Sequence, residues 1–585
     1  MKGKGKKMLA AAAAAAAAGV YLKRARDQQK SQDVSRIRAI EEAVMNNRDY
    51  GKRQAYLIGG GLTSMAAAAY LIRDCKFPGN QITIYESQGK LGGGSFAGRE
   101  ASGGFGCQGF HLLNEETYEN FWELFGTIPS LDKPERSVAE EILSFSHTHS
   151  VRAGARLVNR EGKAAEVSSM GLEARDRLAL LKLLFADEKR LDNRTIQDWF
   201  RETPHFFTTN FWYLWQTTFA FQKWSSLFEF RRGLMRMAPQ LDRLGTMEGM
   251  VSTPFNRYDC VIRPLEQYLR QAGVNFEENC QVTDLDFDEG PGLTIKAFYL
   301  KRDRGVREDQ GARYIHEIRK LEKGDICIMT NGSVTDGAVM GGFYEAVPRI
   351  EEEAGLAKLW VKAAARNTEL GKPESFFSKP HETGWMSFTV TCRGERLWNA
   401  IRQREGNGAA GGFMTLKESP WLLTTITPVQ PYFRDQREDE KVFFGYGLYL
   451  QTEGDLIRKP MRDCTGQEIL REYLHQLGIS EREAVELLSG VVDVVTCYMP
   501  YGGASRQPRR FRDRPQVAPA GSRNFAFAGQ FVELSGDMAF TEEYAVRAAR
   551  TAVYTLMGVN RPVCPAVRGL RRPGALWRAL KAVMS

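Results

Sequence analysis

The sequence predicts a mixed α/β protein built around a Rossmann-like dinucleotide-binding domain. An apolar run at Ala55–Ile58 is typical of a buried strand, and a glycine turn, Gly59-Gly60-Gly61, follows it directly. An Ala-rich apolar segment at residues 65–72 predicts a helix packed on a sheet, and residues 81–85 predict a second strand that ends on Glu86. These elements, in this order, indicate a nucleotide site more strongly than a glycine triplet alone.

Each position of the motif has a mechanical reason. Gly59 permits the tight turn from strand to helix, and Gly61 lets the backbone approach a pyrophosphate at the helix N-terminus, where free N–H groups favour anions. Ser64 takes the small-residue position that completes the pattern. Glu86 is an acceptor suitably placed for ribose hydroxyls. A plain βαβ unit without a nucleotide is the alternative.

A second glycine cluster follows the acidic strand end, at Gly92, Gly93, Gly94 and Ser95. Such a cluster is how many flavoproteins of the two-dinucleotide-binding-domain type continue, and simple NAD dehydrogenases usually lack it. We therefore expect FAD as the cofactor, in a flavoprotein with an inserted substrate domain and a helical C-terminus. The alternative interpretation of the cluster is an ordinary flexible loop.

Length and composition limit the other possibilities. At 585 residues the chain implies two to four structural units, and its 43% apolar and 26% charged content is that of a globular protein. The net charge of +9 is concentrated at the two ends, so it does not indicate a nucleic-acid surface. The nine cysteines show no CxxC or CxxH spacing, so we expect no metal site, no disulfide framework and a reducing, cytoplasmic compartment.

Both termini are basic. Four of the first seven residues are lysines, and the tract at residues 10–18 is all alanine, so the apolar stretch is shorter than the roughly 20 residues that a spanning helix needs. Three interpretations stand: a helical extension that touches a membrane, a weak anchor or uncleaved signal, and a low-complexity tail.

The C-terminal segment is predicted to form a basic amphipathic helix. Arg578 and Lys581 lie towards one face of this helix, and its apolar side is formed by Leu576, Trp577, Leu580, Val583 and Met584. This pattern suits an anionic membrane surface, and the alternative is a helix docked on its own domain. We expect a cytoplasmic protein that associates peripherally with membranes.

The interior predicts a discontinuous nucleotide domain. Strand ends at Asn331-Gly332-Ser333 and at Gly529 to Phe531 are expected to face the cofactor, and a helix over residues 541–556 is expected to close over it, with Thr541 as N-cap. The aromatic stretch 206–237 is predicted to be largely helical, as the wall of an apolar channel or as an aromatic core. The expected segments are 1–53 (extension and linker), 54–150, 255–340 and 499–560 (FAD-binding domain), 151–254 (helical substrate region), 341–498 (substrate domain) and 561–585 (C-terminal helix).

Collinear motifs through almost the whole chain resemble the oleate hydratase family, once called myosin-cross-reactive antigens. The matching pieces include IGGGLTSMAAAAYLIRD, GGSFAG, FWELFGTIPSL, TTFAFQKWSSLFEFRR, FFGYGLY, KPMRDCTGQEIL and FAFAGQFVEL. The resemblance implies an FAD-binding fold, a long-chain unsaturated fatty acid as substrate, and addition of water across a cis double bond. It also implies that FAD acts structurally or electrostatically, without net electron transfer.

The chain departs from the family pattern where the chemistry is expected. The family's Glu, which follows an R-G-G-R run, falls on a leucine within residues 108–113, and the Tyr that ends its E-[FM]-[RK]-R-Y run is Gly233. The Gln of the family's N-Q-Y is Arg257, and the carboxylate clamp T-x-N-x-x-x-H reads I-T-P-V-Q-P-Y, ending on Tyr432. The resemblance therefore identifies a divergent member without the usual acid and base.

Replacement candidates lie near these positions. His111 is a candidate base, although a satisfied loop histidine is the alternative. Arg257 and Tyr432 are assigned to substrate binding; a guanidinium can hold a carboxylate bidentately, and a structural ion pair is the other interpretation of Arg257. Three functions stay open: a fatty acid hydratase, a flavin-dependent lipid oxidoreductase or isomerase, and a catalytically silent FAD- and lipid-binding protein. A homodimer is possible with each.

Overall fold

A computed structural model describes residues 48–160, 162–288, 292–307, 311–349, 355–406, 411–564 and 566. The alanine tract and the basic C-terminal helix predicted from the sequence lie outside these residues. No helix within the described ranges is long and apolar enough to cross a membrane.

The strands, in chain order, are β1 (Ala55–Ile58), β2 (Ile82–Tyr85), β3 (Ala97–Arg99), β4 (Phe105–Cys107), β5 (Leu113–Asn114), β6 (Leu157–Val158), β7 (Met250–Val251), β8 (Asn275–Glu277), β9 (Cys280–Phe287), β10 (Ile295–Arg307), β11 (Gly311–Lys320), β12 (Ile326–Thr330), β13 (Val339–Gly341), β14 (Trp385–Arg393), β15 (Met414–Leu416), β16 (Thr424–Ile426), β17 (Glu440–Gly447), β18 (Val491–Met499) and β19 (Phe525–Ala528).

The α-helices, in chain order, are α1 (Leu62–Cys75), α2 (Glu119–Phe125), α3 (Val138–Thr148), α4 (Ala174–Phe185), α5 (Ile196–Trp199), α6 (Asn210–Phe219), α7 (Leu227–Arg236), α8 (Arg263–Gln271), α9 (Gly355–Ala364), α10 (Glu374–Phe377), α11 (Pro380–Thr383), α12 (Arg396–Glu405), α13 (Gly466–Gln476), α14 (Glu481–Leu488) and α15 (Glu542–Met557).

A five-stranded parallel sheet, in the order β19-β12-β1-β2-β8, carries the glycine turn. Its strands come from three separate stretches of the chain: residues 55–85, 275–330 and 525–528. Helices α1 and α15 pack against each other beside it. The alanines Ala66–Ala69 are completely or almost completely buried, and their small side chains allow this close approach.

A second, seven-stranded sheet has the order β13-β18-β14-β17-β16-β15-β6. One face packs on α13 through residues such as Phe388 and Phe443. The other face contributes to an aromatic cluster with Phe105, Phe444 and Tyr446. Both faces of the central strands are therefore buried, and in β14 this includes the small polar residues Ser387, Thr389 and Thr391. Strand β6 belongs to the predicted helical region 151–254, so the sheet draws on that segment too.

Local backbone conformations set the bounds of several elements. Residues 275–287 form two strands, β8 and β9, which belong to different sheets, because Asn279 between them takes a left-handed conformation with φ of 53°. The aromatic stretch 206–237 is interrupted between α6 and α7, where Ala220 has φ of 52°. Helix α2 begins at Glu119 and no earlier, because the Asn114 side chain accepts hydrogen bonds from the N–H groups of residues 116 and 117 and holds a turn there.

A buried network of ion pairs joins the helical region to the nucleotide domain. Glu229 on α7 accepts a hydrogen bond from Arg509 at 2.8 Å and lies 3.3 Å from Arg514. Glu533, which follows β19, is paired with Arg509 at 2.9 Å and with Arg232 at 2.7 Å. Burial alone would raise the pKa of Glu229, but the arginines around it lower the pKa below its ordinary value. Glu229 is therefore ionised and fully paired inside the protein.

We expect Glu229→Gln to destabilise the protein by about 3–5 kcal/mol, because it leaves buried arginines without their counter-ion. The free energy of unfolding, measured by urea denaturation followed through tryptophan fluorescence, tests this. Glu486→Gln is the matched control, since Glu486 pairs with Arg396 at 3.3 Å on the surface and such pairs contribute little. Equal midpoints for the two variants would contradict a stabilising role for the buried network.

Candidate functional site

A cavity of about 440 Å³ lies at the carboxyl ends of β1, β2 and β12, and the first turns of α1 and α15 both border it. This is the edge at which parallel α/β sheets bind ligands. The nucleotide side of the cavity is lined by Gly59, Gly60, Gly61, Glu86, Gln88, Gly92, Gly93, Gly94, Ser95, Gly332, Ser333 and Gly529, and its other end by Gly109, His111, Arg257, Trp385, Gly502, Phe540 and Glu542.

The glycine turn has the geometry that a pyrophosphate requires. Gly59 has φ of 104°, a conformation that favours glycine. A Cβ on Gly61 would have its nearest protein neighbour 3.8 Å away, at Gly93, so this glycine keeps the cavity open and does not relieve a clash. No side chain caps the N-terminus of α1 by a hydrogen bond. The backbone there is accordingly accessible to an anionic group.

Glu86 is tied to the same turn. Its Oε2 accepts a hydrogen bond from the Gly60 N–H at 2.7 Å, and its Oε1 accepts one from the Gln88 N–H at 2.8 Å. A Cβ on Gly60 would lie 2.8 Å from the Glu86 side chain, so Gly60 is the sterically constrained glycine of the three. This constraint was not anticipated from the sequence, because it depends on how the second strand returns beside the first.

The second glycine cluster forms the opposite wall. The Gly92 N–H donates to the Gly60 carbonyl at 2.9 Å, and residues Gly93–Ser95 form one turn of 3₁₀ helix. A Cβ on Gly93 would lie 3.3 Å from the Gly61 Cα, so the two glycine turns pack almost backbone to backbone. The cluster is therefore an ordered part of the cavity wall.

Three residues predicted to contact the cofactor are not among those that line the cavity. Ser64 lies on the side of α1 that faces the sheet, and its hydroxyl is 3.3 Å from that of Thr330 at the end of β12. The Asn331 amide is fully buried and donates to the Phe531 carbonyl at 3.0 Å. The Phe531 ring packs in the core against Phe377. Gly332, Ser333 and Gly529, from the same predicted strand ends, do line the cavity.

His111, Arg257 and Glu542 meet at the end of the cavity away from the glycine turn. His111 Nδ1 lies 3.3 Å from Glu542 Oε1, and the Arg257 guanidinium forms an ion pair with the same oxygen and donates to the Gly94 carbonyl at 3.0 Å. Arg257 therefore forms a structural ion pair, which is the alternative interpretation given for it in the sequence analysis. Burial, with repulsion from Arg257, lowers the pKa of His111 to about 4, so the imidazole is neutral near pH 7. Burial alone would raise the pKa of Glu542, but His111 and Arg257 lower it, and the carboxylate is ionised.

The helix predicted over residues 541–556 includes Glu542, but the sequence assigns this residue no role. Its contact with His111 joins residues 431 positions apart in the chain, and no local pattern indicates such a contact. Trp385 and Phe540, whose rings meet at 5.7 Å, were missed for the same reason.

Tyr432 lies in the aromatic cluster beside the cavity, stacked on Phe110 with ring centroids 5.4 Å apart. Its burial raises the pKa of the phenol well above the ordinary value, so the phenol stays protonated. Gly233, at the position of the family's Tyr, is enclosed: a Cβ there would lie 3.0 Å from the Trp215 ring. The neighbouring side chains thus occupy the space that a phenol would need.

The fold and the site define a dinucleotide-binding α/β protein with an adjoining aromatic cluster. The MCRA family model matches residues 52–554. The chain therefore belongs to the MCRA family.

Curated relatives carry the names of hydratases. A linoleate hydratase from Lactiplantibacillus plantarum is 33% identical over 87% of this chain and 94% of its own length. An oleate hydratase from Streptococcus pyogenes serotype M49 is 31% identical over 88% of this chain and 86% of its own length. A solved structure, cyclohexylamine oxidase from Brevibacterium oxydans, has a TM-score of 0.48 at 15% identity, covering 86% of this chain and 99% of that chain, which is too distant to bear on function.

We expect Gly61→Val to lose flavin while the protein remains folded, because the added side chain enters the cavity where the backbone must approach the pyrophosphate. Flavin absorbance after purification and circular dichroism measure the two properties. Gly342→Val is the control, because Gly342, like Gly61, does not have positive φ, and a Cβ there would have its nearest neighbour 4.0 Å away, outside the cavity lining. Unchanged flavin content in the Gly61 variant would show that the glycine turn is not part of the flavin site.

Proposed function

We propose that this protein is an FAD-binding fatty acid hydratase that adds water to a cis double bond of a long-chain unsaturated fatty acid. The observation that carries the proposal is membership of the MCRA family over residues 52–554, with curated hydratases as relatives at 31–33% identity. The open backbone at Gly61 and the acceptor Glu86 fit a dinucleotide. When bound, FAD would supply a structural and electrostatic element beside the reacting groups.

An isolated alkene is a poor base, so hydration needs a proton donor for one carbon and a base for the water that attacks the other. We assign the base to His111. Glu542, 3.3 Å from Nδ1, favours the tautomer that keeps the proton on Nδ1, which leaves Nε2 as an acceptor for water. The aromatic cluster around Tyr432 and Phe110 excludes bulk water and suits an apolar chain.

Position 233 favours a second candidate function. Residue 233 is glycine, so no phenol is present there to donate a proton. The Trp215 ring also lies 3.0 Å from where a Cβ would be. Without that donor, the same scaffold could serve a flavin-dependent oxidoreductase or isomerase acting on the lipid, or a silent FAD- and lipid-binding protein.

Incubation of the flavin-loaded protein with a panel of cis-unsaturated fatty acids, with FAD oxidised or reduced, separates these functions by product mass. We expect a product heavier than its substrate by one water. A change of two hydrogens would indicate a redox enzyme, an isomer of unchanged mass an isomerase, and bound but unchanged substrate a silent binder; each of these three results contradicts the hydratase proposal.

His111→Gln should lower the hydration rate by about 10²-fold or more. In the wild type the rate should fall only as the pH decreases through about 4, because burial lowers the pKa of His111 and protonation removes the base. The pH–rate profile should lose that acid limb in the variant. His147→Gln is the control, since His147 is exposed at the end of α3. An unchanged profile in the His111 variant would reject the base assignment.

We further propose that the protein is cytoplasmic and associates peripherally with anionic membranes through its basic termini. Each basic residue near the surface contributes roughly 1 kcal/mol, and salt weakens this attraction by screening. Flotation with anionic and neutral vesicles should show binding that decreases without residues 566–585 and decreases further without residues 1–26. Equal binding to both vesicle types would contradict the electrostatic argument, and resistance to high salt and alkaline wash would indicate an inserted anchor.

A further inference from the structure

Arg506 is a buried cation without a counter-ion in the described part of the chain. It ends the turn Ala504–Arg506 after β18 and is 2% exposed. Its Nη1 donates to the Gly502 carbonyl at a long 3.5 Å, while Nε and Nη2 are buried without a hydrogen-bond partner. By contrast, Arg509 and Arg514, on the same segment, both pair with Glu229.

The surroundings of Arg506 are aromatic. Its guanidinium carbon lies 3.8 Å from the centroid of the Phe540 ring, 5.2 Å from that of Trp385 and 5.3 Å from that of Phe221. These cation–π contacts offset part of the cost of burying the charge, although they leave the N–H groups unpaired. Burial lowers the pKa of Arg506 to about 9, which still leaves it charged at neutral pH.

Arg506 borders the end of the cavity that lies away from the glycine turn. Gly502, Trp385 and Phe540 all line the cavity, and all three contact Arg506. The indole Nε1 of Trp385 is also buried without an acceptor. Unpaired donors from two side chains, one of them cationic, therefore meet at one place, and a ligand with an anionic acceptor would satisfy both.

Arg257, which the sequence analysis assigned to substrate binding, differs from Arg506 because its charge is already paired. Glu542 already neutralises it, and the Gly94 carbonyl takes a second of its nitrogens. A carboxylate arriving there would meet the negative charge of Glu542. At Arg506 it meets an unneutralised cation, so the electrostatic attraction is greater at Arg506.

We propose that Arg506, assisted by the Trp385 indole, binds the carboxylate of the lipid substrate at the end of the cavity away from the glycine turn. This inference rests on the proposed function for the class of ligand. It assigns the acid-binding role to a residue outside both the N-R-Y sequence at 256–258 and the clamp stretch 426–432.

The test measures the Kd of the flavin-loaded protein for a saturated long-chain fatty acid and for its methyl ester by calorimetry. A saturated acid has no double bond, so binding is separated from turnover. We expect Arg506→Met to weaken the acid about tenfold or more and to leave the ester nearly unchanged. Arg506→Lys should retain part of the preference for the acid. Trp385→Phe should give a smaller loss that is also specific for the acid.

Arg462→Met is the matched control, because Arg462 also lies over an aromatic ring, Tyr498 at 4.4 Å, but does not border the cavity. Equal loss of acid and ester affinity in Arg506→Met, or an acid-specific loss in Arg257→Met alone, would overturn the inference. If Arg506→Met does not fold, the ratio of the Kd for the acid to the Kd for the ester, measured in Arg506→Lys and in Trp385→Phe, tests the inference instead. A ratio equal to that of the wild type in both variants would contradict it. If Arg506 binds the acid specifically but no hydrated product forms from unsaturated fatty acids, the proposed function is contradicted and this inference is still supported.

Discussion

A buried network of ion pairs connects parts of the fold that lie far apart in the chain. Glu229 from α7 and Glu533 from the end of the nucleotide sheet share Arg509, which is completely buried. Breaking a buried ion pair costs several kcal/mol, so the network fixes the position of α7 against the nucleotide domain. The cavity and the aromatic cluster lie between these elements, and their shape depends on that fixed position.

The network accounts for two of the charged residues of the run E-F-R-R-G at residues 229–233. In the run E-F-R-R-G, Glu229 and Arg232 take part in the buried ion pairs, whereas Gly233 faces Trp215. The charged positions are constrained by the electrostatics of the interior. Gly233, the fifth residue of this run, carries no charge, and the closely packed Trp215 ring limits the space at its position.

Charge within the site is distributed unevenly. Glu542 contacts both His111 and Arg257, so one carboxylate sets the tautomer of the imidazole and neutralises the guanidinium. Because α15 begins at Glu542, the same residue that starts the helix also organises the end of the cavity. Arg506 is outside this arrangement, and its charge is balanced by no residue that the structure describes.

The sequence by itself determined the nucleotide half of the molecule. Strand β1 has the predicted bounds, and the glycine turn, Glu86 and the helix capped by Thr541 follow from local rules of backbone freedom, capping and apolar periodicity. Only the tertiary structure decided what occupies the other end of the cavity. Glu542, Trp385 and Arg506 are brought there by long-range packing, and whether a buried charge is paired depends on neighbours that are hundreds of residues away in the chain.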